Sequence, residues 1–262
     1  MTDRFDFDRE WTLKNRDNLL SNRNLLLWYE KLYQRAFRVC GGLEKLHVLE
    51  IGSGASPLKI FYDNVITSDI LELNYLDLVF DCHNIDNTNY FNDGSLDVIT
   101  MTNVLHHLYD PIDFLLKASC KLKEGGWIIA VEPFFSSVSK VLYKLLHHEP
   151  SDFSIEEPRL ADVKGPLSTA NQALPQMIFM GQNGWHEPLL REYFFNPKNF
   201  DFFSSLSYMA SGGISRRIPI PASVYRPMLM LDIRLADRFP ALMASFFIIC
   251  LQKKLDVKAS SH

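Results

Sequence analysis

The stretch Val48-Leu49-Glu50-Ile51-Gly52-Ser53-Gly54-Ala55-Ser56-Pro57 sets the reading of the whole chain. Its first four residues form a short apolar run with the proportions of a buried strand, and Glu50 stands near the end of that run. Gly52 and Gly54 free the backbone for a tight turn, where a side chain would block an approaching ligand. Ser56-Pro57 signals a helix start, because serine satisfies orphan amides and proline suits the first helical position. Strand, glycine turn and helix in that order make the ligand-binding corner of an open α/β sheet.

Downstream, strand and helix signals alternate, which predicts a doubly wound, mostly parallel sheet. Residues 64–70 read as a second strand with Asp69 at its tip, and residues 76–80 as a third tipped by Asp81-Cys82. Residues 96–101 read as a fourth, followed by Thr102-Asn103 and a helical turn over 104–108. A helix then starts at Asp110-Pro111, with Phe114, Leu115, Ala118 and Leu122 on one face, and stops at Gly125-Gly126. Residues 127–131 are apolar throughout, as a central parallel strand should be. Glu50, Asp69, Asp81 and Asn103 thus sit at four successive strand tips, where ligands of such sheets bind. Asp69 can accept both hydroxyls of a ribose, because a carboxylate offers two acceptor oxygens. The pattern points to an adenosine-type ligand. A nicotinamide dinucleotide fits worse, since its Gly-x-Gly-x-x-Gly fingerprint meets Pro57 where the last glycine should stand.

With these motifs in place the chain resembles the class I S-adenosylmethionine-dependent methyltransferases, in their type 11, small-molecule branch. The resemblance covers residues 46–133 and rests on Val-Leu-Glu-Ile-Gly-Ser-Gly (48–54), Ser-Asp-Ile (68–70), Phe-Asp-Cys (80–82), the run 96–108 ending in His-His-Leu, and Leu-Lys-Glu-Gly-Gly-Trp (122–127). It implies S-adenosylmethionine as cofactor on a Rossmann-like, seven-stranded, mostly parallel sheet with an antiparallel last strand. It further implies that Gly52, Ser53 and Gly54 lie against the methionine part, with Glu50 approaching its amino group. Asp69 would take the ribose hydroxyls, with Ile70 beside it among the cofactor contacts, Asp81 the adenine amino group with Cys82 at the ring edge, and Asn103 would sit beside the reactive centre. Ser56 stands where such enzymes often carry a third glycine.

The rest of the chain surrounds that core. Residues 9–40 carry apolar side chains at helical spacing (Leu25, Trp28, Tyr29, Leu32, Tyr33, Ala36, Phe37). The segment 1–45 is expected to form a helical lid over the cofactor mouth. Residues 189–195 and 244–251 read as strands six and seven. Two long insertions, 134–187 and 196–243, are expected to form a helical substrate cap, with helices at 168–182 and 224–238. All 262 residues therefore read as one domain.

Several residues beyond the core could carry chemistry. His106 is the candidate catalytic base, with an imidazole range suited to proton removal near neutrality, whereas His107 reads as structural and pointing elsewhere. Glu132 could touch substrate. Arg216-Arg217 could clamp a phosphate or carboxylate, the alternative being solvated charge. Tyr193, Phe194, Phe202, Phe203 and Tyr208 could line a pocket, the alternative being core. His147-His148-Glu149 lacks partners at helical spacing, and Cys40, Cys82, Cys120 and Cys250 are scattered, so no metal site is expected.

The net charge of −4 divides unevenly: residues 196–262 carry nine Lys/Arg against four Asp/Glu. That basic quarter could meet an anionic acceptor or a lipid surface. An acidic chain with no Asn/Asp-Pro-Pro-Tyr motif argues against nucleic-acid methylation. No leader or spanning segment is evident, and the chain reads as cytoplasmic. The functional expectation is methyl transfer to a small-molecule acceptor, lipid-, isoprenoid- or sugar-linked, with a catalytically degenerate cofactor-binding protein of binding or regulatory role as alternative.

Overall fold

A computed structural model describes residues 2–146, 149–161, 165, 169–196, 200–204 and 206–255. The chain opens with α1 (Thr2–Ser21) and α2 (Arg23–Ala36), then β1 (Val48–Ile51), α3 (Leu58–Phe61), β2 (Val65–Asp69), β3 (Leu78–Val79), β4 (Leu96–Thr102), α4 (Pro111–Ala118) and β5 (Leu122–Pro133). The remainder supplies α5 (Ser137–Leu146), α6 (Leu174–Met180), β6 (Tyr193–Phe194), β7 (Asp201–Phe203), α7 (Leu206–Ser211), α8 (Ala222–Arg238), α9 (Pro240–Met243) and β8 (Phe246–Lys253).

Among the described residues the strands form one sheet in the order β3-β2-β1-β4-β5-β8-β6, with β7 also on β8. The first five strands are parallel, and β8 runs antiparallel to β5. This is the expected Rossmann-like, doubly wound sheet with its antiparallel last strand. Alternation along the strands sends side chains to two apolar layers. Leu49, Ile128, Ala130 and Phe247 face one layer, whereas Val48, Ile129, Val131 and Ile248 face the other. In β4, Leu96 and Ile99 both face the first layer, because the register shifts between Leu96 and Val98.

The structure corrects several boundaries. The expected helix over 9–40 breaks at Asn22, whose side chain caps α2 by accepting from Leu25 N at 3.2 Å. Strand three shrinks to two residues. Residues 187–191 form a 3-10 turn rather than a strand, with Pro188 in its first turn. Only Tyr193 and Phe194 pair with β8 there, and Asp201–Phe203 pair with the same strand further along. The edge strand is thus split in two, which brings the sheet to eight strands among the described residues. The expected cap helix at 224–238 exists as α8, but its buried face (Tyr225, Leu229, Asp232, Ala236) packs toward α2, α7 and β7. Asp232 Oδ2 fixes that docking by accepting from the amide and hydroxyl of Ser207 at 2.7 and 2.6 Å. Among the described residues no helix is long and apolar enough to cross a membrane.

Candidate active site

The parallel ladder puts Ile51 opposite both Ser68 and Met101, so β1, β2 and β4 end at one level. Beyond those ends lies a cavity of about 2250 Å³. A typical small-molecule site has about 300–1,000 Å³, so two ligands have room side by side. Gly52, Gly54, Asp69, Ile70, Asp81, Cys82, Asn103 and His106 all line it. Glu50 and Ser53 do not; they sit behind the turn, 2% and 1% exposed.

The glycine turn is built by packing as much as by ligand approach. Gly52 has φ +68°, and a Cβ there would meet Val104 Cγ2 at 2.4 Å. At Gly54 a Cβ would meet Thr12 Cγ2 at 2.9 Å and Asp69 Oδ2 at 3.1 Å. Ser56 ties the turn to the helix that follows. Its hydroxyl donates to Glu50 Oε1 at 2.5 Å and accepts from Leu58 N at 3.2 Å, at the start of α3. Burial pushes the Glu50 carboxyl up to about 7, against the lowering effect of Ser56, Ser53 and Arg16. Glu50 Oε2 and Asn103 Oδ1 are buried without a hydrogen-bond partner.

Asp69 organises the second strand end. Its Oδ2 accepts from Gly54 N at 2.9 Å and its Oδ1 from Leu71 N at 3.0 Å. Each oxygen keeps a further lone pair for a ligand. Burial raises its pKa, partly offset by those backbone amides. Asp81 turns toward its own loop, with Oδ1 2.7 Å from His83 Nδ1 and 3.0 Å from His83 N. That contact holds the Asp81 carboxyl below its ordinary range.

Helix α1 roofs this end. Phe7, Asp8, Trp11, Thr12 and Asn15 line the cavity. Arg16 fastens the roof, donating to Ser56 O at 2.7 Å and stacking over Tyr75, whose hydroxyl donates to Gly54 O at 2.7 Å.

The far end is polar and densely charged. Glu132 is fully buried and does not line the cavity, contrary to its expected contact with substrate. Instead its Oε1 accepts from the amides of Val104 and Leu105 at 2.9 and 2.8 Å, and its Oε2 lies 2.6 Å from His106 Nδ1. His106 Nε2 lies 3.5 Å from Glu149 Oε2. Burial alone would lower the His106 pKa, but the two carboxylates outweigh it and push it up to about 10. The expectation of an imidazole titrating near neutrality is therefore not met. His107 does not point elsewhere: the two rings lie 4.2 Å apart and both line the cavity. Burial and the neighbouring His106 push His107 down to about 4. Glu149 comes close enough to matter although it follows His107 by 42 positions in the chain. His147 and His148 lie outside the described residues.

Of the expected aromatic wall, Tyr208 lines the cavity. Tyr193 and Phe203 are core, and Phe194 is exposed. Arg216 lines the cavity and Arg217 does not. Arg159 and Arg191 also reach it, which no local sequence pattern signalled.

A family model described as a methyltransferase domain matches residues 22–164. No curated protein matches the chain. Among solved structures, a SAM-dependent methyltransferase from Archaeoglobus fulgidus is 16% identical, with 86% of this chain and 94% of that one covered at a TM-score of 0.48. Geranyl diphosphate C-methyltransferase from Streptomyces coelicolor A3(2), solved with S-adenosyl-L-homocysteine, is 10% identical, with coverage of 87% and 80% and a TM-score of 0.47. Likeness this distant carries nothing about the acceptor.

Proposed function

Because the chain belongs to the methyltransferase-domain family and is an S-adenosylmethionine-dependent methyltransferase, we propose that it moves a methyl group to a small-molecule acceptor held in the far half of the cavity. The observation that carries the reading is the single continuous cavity running from the glycine turn to His106. Its residues fit the cofactor. Asn103 Oδ1 is a buried acceptor without a partner, suited to an ammonium group. Glu50 behind the turn adds negative charge that a nearby ligand cation would keep ionised. Gly52 and Gly54 bring backbone close to the methionine part, Asp69 takes the ribose, and Asp81 with Cys82 takes the adenine end. Helix α1 is the proposed lid.

Bound S-adenosylmethionine supplies a methyl group already activated on a sulfonium. The protein's main task is then to align the acceptor and exclude water. The roof of α1 and residues 212–216 line the cavity and would enclose the reacting ends. His106, held through Nδ1 by Glu132, is the proposed contact with the acceptor's reacting atom; the two carboxylates favour its protonated form, so Nε2 takes a proton from a hydroxyl or acidic carbon only after giving its own to Glu149. Arg159, Arg191 and Arg216 suit an acceptor that carries a carboxylate or phosphate.

The test is transfer of labelled methyl from S-adenosylmethionine into metabolite extracts fractionated by size and charge. Label should enter a small acceptor, and His106→Ala should cut that transfer while sparing S-adenosylhomocysteine affinity. Cofactor binding with no acceptor labelled would favour a binding protein without catalysis. Unchanged transfer by the variant would remove His106 from the chemistry.

A further inference from the structure

The far end of the cavity holds a constellation that alignment of cofactor and acceptor does not require. His106 and His107 are consecutive, yet their rings sit side by side. Each ring is fixed through Nδ1. On His107 that nitrogen is 2.8 Å from the carbonyl oxygen of Thr169, which can only accept, so Nδ1 carries a proton. On His106 it is 2.6 Å from Glu132 Oε2, an oxygen of a carboxylate already gripped by two backbone amides. In a neutral imidazole with a protonated Nδ1, Nε2 is a bare lone pair. Both Nε2 atoms face Glu149, at 3.5 Å from its Oε2 for His106 and 4.0 Å from its Oε1 for His107. Gln172 orients that carboxylate, donating to Oε2 at 2.8 Å. The three ligand atoms lie within 4.8 Å of one another.

We propose that His106, His107 and Glu149 form a three-ligand site for a divalent transition-metal cation of the zinc type. Two imidazoles and a carboxylate are the donor set such ions prefer, and a fourth position is left open. The outer partners are those that metal-bound histidines use: a carboxylate behind one ring and a backbone carbonyl behind the other. Ligands bonded at about 2.0–2.1 Å in tetrahedral geometry stand about 3.3–3.4 Å apart. Glu149 and the two rings therefore need to close by up to about 1.5 Å, and the Glu149 side chain is 36% exposed and can move.

All three ligands line the cavity, so the open position faces the acceptor's half. The cation would take an oxygen of the acceptor, a hydroxyl, carboxylate or enolate, as its fourth ligand. That last step rests on the methyl-transfer reading; the cation site does not. At His106 Nε2 a proton and the cation are alternatives, so with metal bound the acceptor oxygen meets the cation instead of the ring.

The full chain, stripped with a chelator and dialysed, should be titrated with Co2+ followed by visible absorption and with Zn2+ in competition. One Co2+ per chain with the intense bands of low coordination number is the expected result, displaced by Zn2+. Glu149→Gln, which keeps shape and removes charge, and His107→Ala should each weaken binding at least about tenfold. Circular dichroism checks that both variants fold, and S-adenosylhomocysteine binding reports the cofactor half separately. Absence of Co2+ binding, or binding that both folded variants retain unchanged, would overturn the site whatever the cofactor titration gives.

Discussion

Gly52→Ala probes the turn on which the cofactor half depends. Two costs follow from the geometry. At φ +68° an alanine sits in the left-handed region, which costs an L-residue about 1–2 kcal/mol. Its Cβ would also lie 2.4 Å from Val104 Cγ2, and overpacking of that kind costs about 1–3 kcal/mol. The variant should lose about 2–5 kcal/mol in urea unfolding. Val104→Ala alone removes two largely buried methyl groups, a loss of about 1.6 kcal/mol. Combined, the two should be less damaging than their sum by about 1–3 kcal/mol, because the smaller residue leaves room for the new Cβ. The backbone cost stays, so the double variant should not recover fully. Additivity within about 0.5 kcal/mol would show that the turn does not press on Val104 and would refute the packing account.

Asp69→Asn replaces one acceptor oxygen by a donor and removes the charge, so S-adenosylhomocysteine should bind roughly 10–100-fold more weakly by calorimetry. Equal affinity would detach Asp69 from the ribose. Glu50 sets a pH dependence. Its folded pKa of about 7 lies above the ordinary 4.5, raised by burial and by Asp69 and lowered by Ser56, Ser53 and Arg16, with Tyr29 and Tyr33 also close. The folded state therefore holds its proton longer, and Glu50 stabilises most below pH 4.5, with the benefit lost as pH rises through 7. Glu50→Gln should flatten the fall in unfolding free energy between pH 5 and 7, by up to about 3 kcal/mol; parallel profiles for parent and variant would refute the buried carboxyl. Trp28 packs among Tyr29, Phe203, Tyr208 and Phe246, and its Nε1 donates to Ser204 Oγ at 2.6 Å. Trp28→Ala should cost about 3–5 kcal/mol by thermal or urea unfolding, and a loss under 1 kcal/mol would contradict its place at the junction of α2, β7 and β8.

The core was legible because its signals are local. A buried strand followed by Gly52 and Gly54, and polar residues at successive strand tips, leave fixed marks in sequence. Those marks placed Gly52, Gly54, Asp69, Ile70, Asp81, Cys82, Asn103 and His106 around one cavity, as observed. What sequence hid was orientation and long-range meeting. Glu132 reads as a strand-end residue free to touch substrate, but its carboxylate is consumed by the 104–106 turn. His107 reads in the sequence as pointing elsewhere on the same turn, whereas the 3-10 turn, with both Nδ1 atoms anchored, holds the two rings together. Glu149 has no periodic link to either histidine and reaches them only through the fold of the first insertion. The edge strand differs for a related reason: the mostly apolar run 189–195 suits a strand, but a 3-10 turn over Glu187–Arg191, with Pro188 in its first turn, leaves only Tyr193 and Phe194 to pair there.

The central claim, a cofactor site at the ends of β1, β2 and β4, is tested most directly by calorimetric titration of the purified chain with S-adenosylhomocysteine, with NAD as control. The account predicts saturable binding of S-adenosylhomocysteine with one site per chain and no heat of binding from NAD. Binding of NAD alone, or of neither ligand to the folded protein, would contradict it.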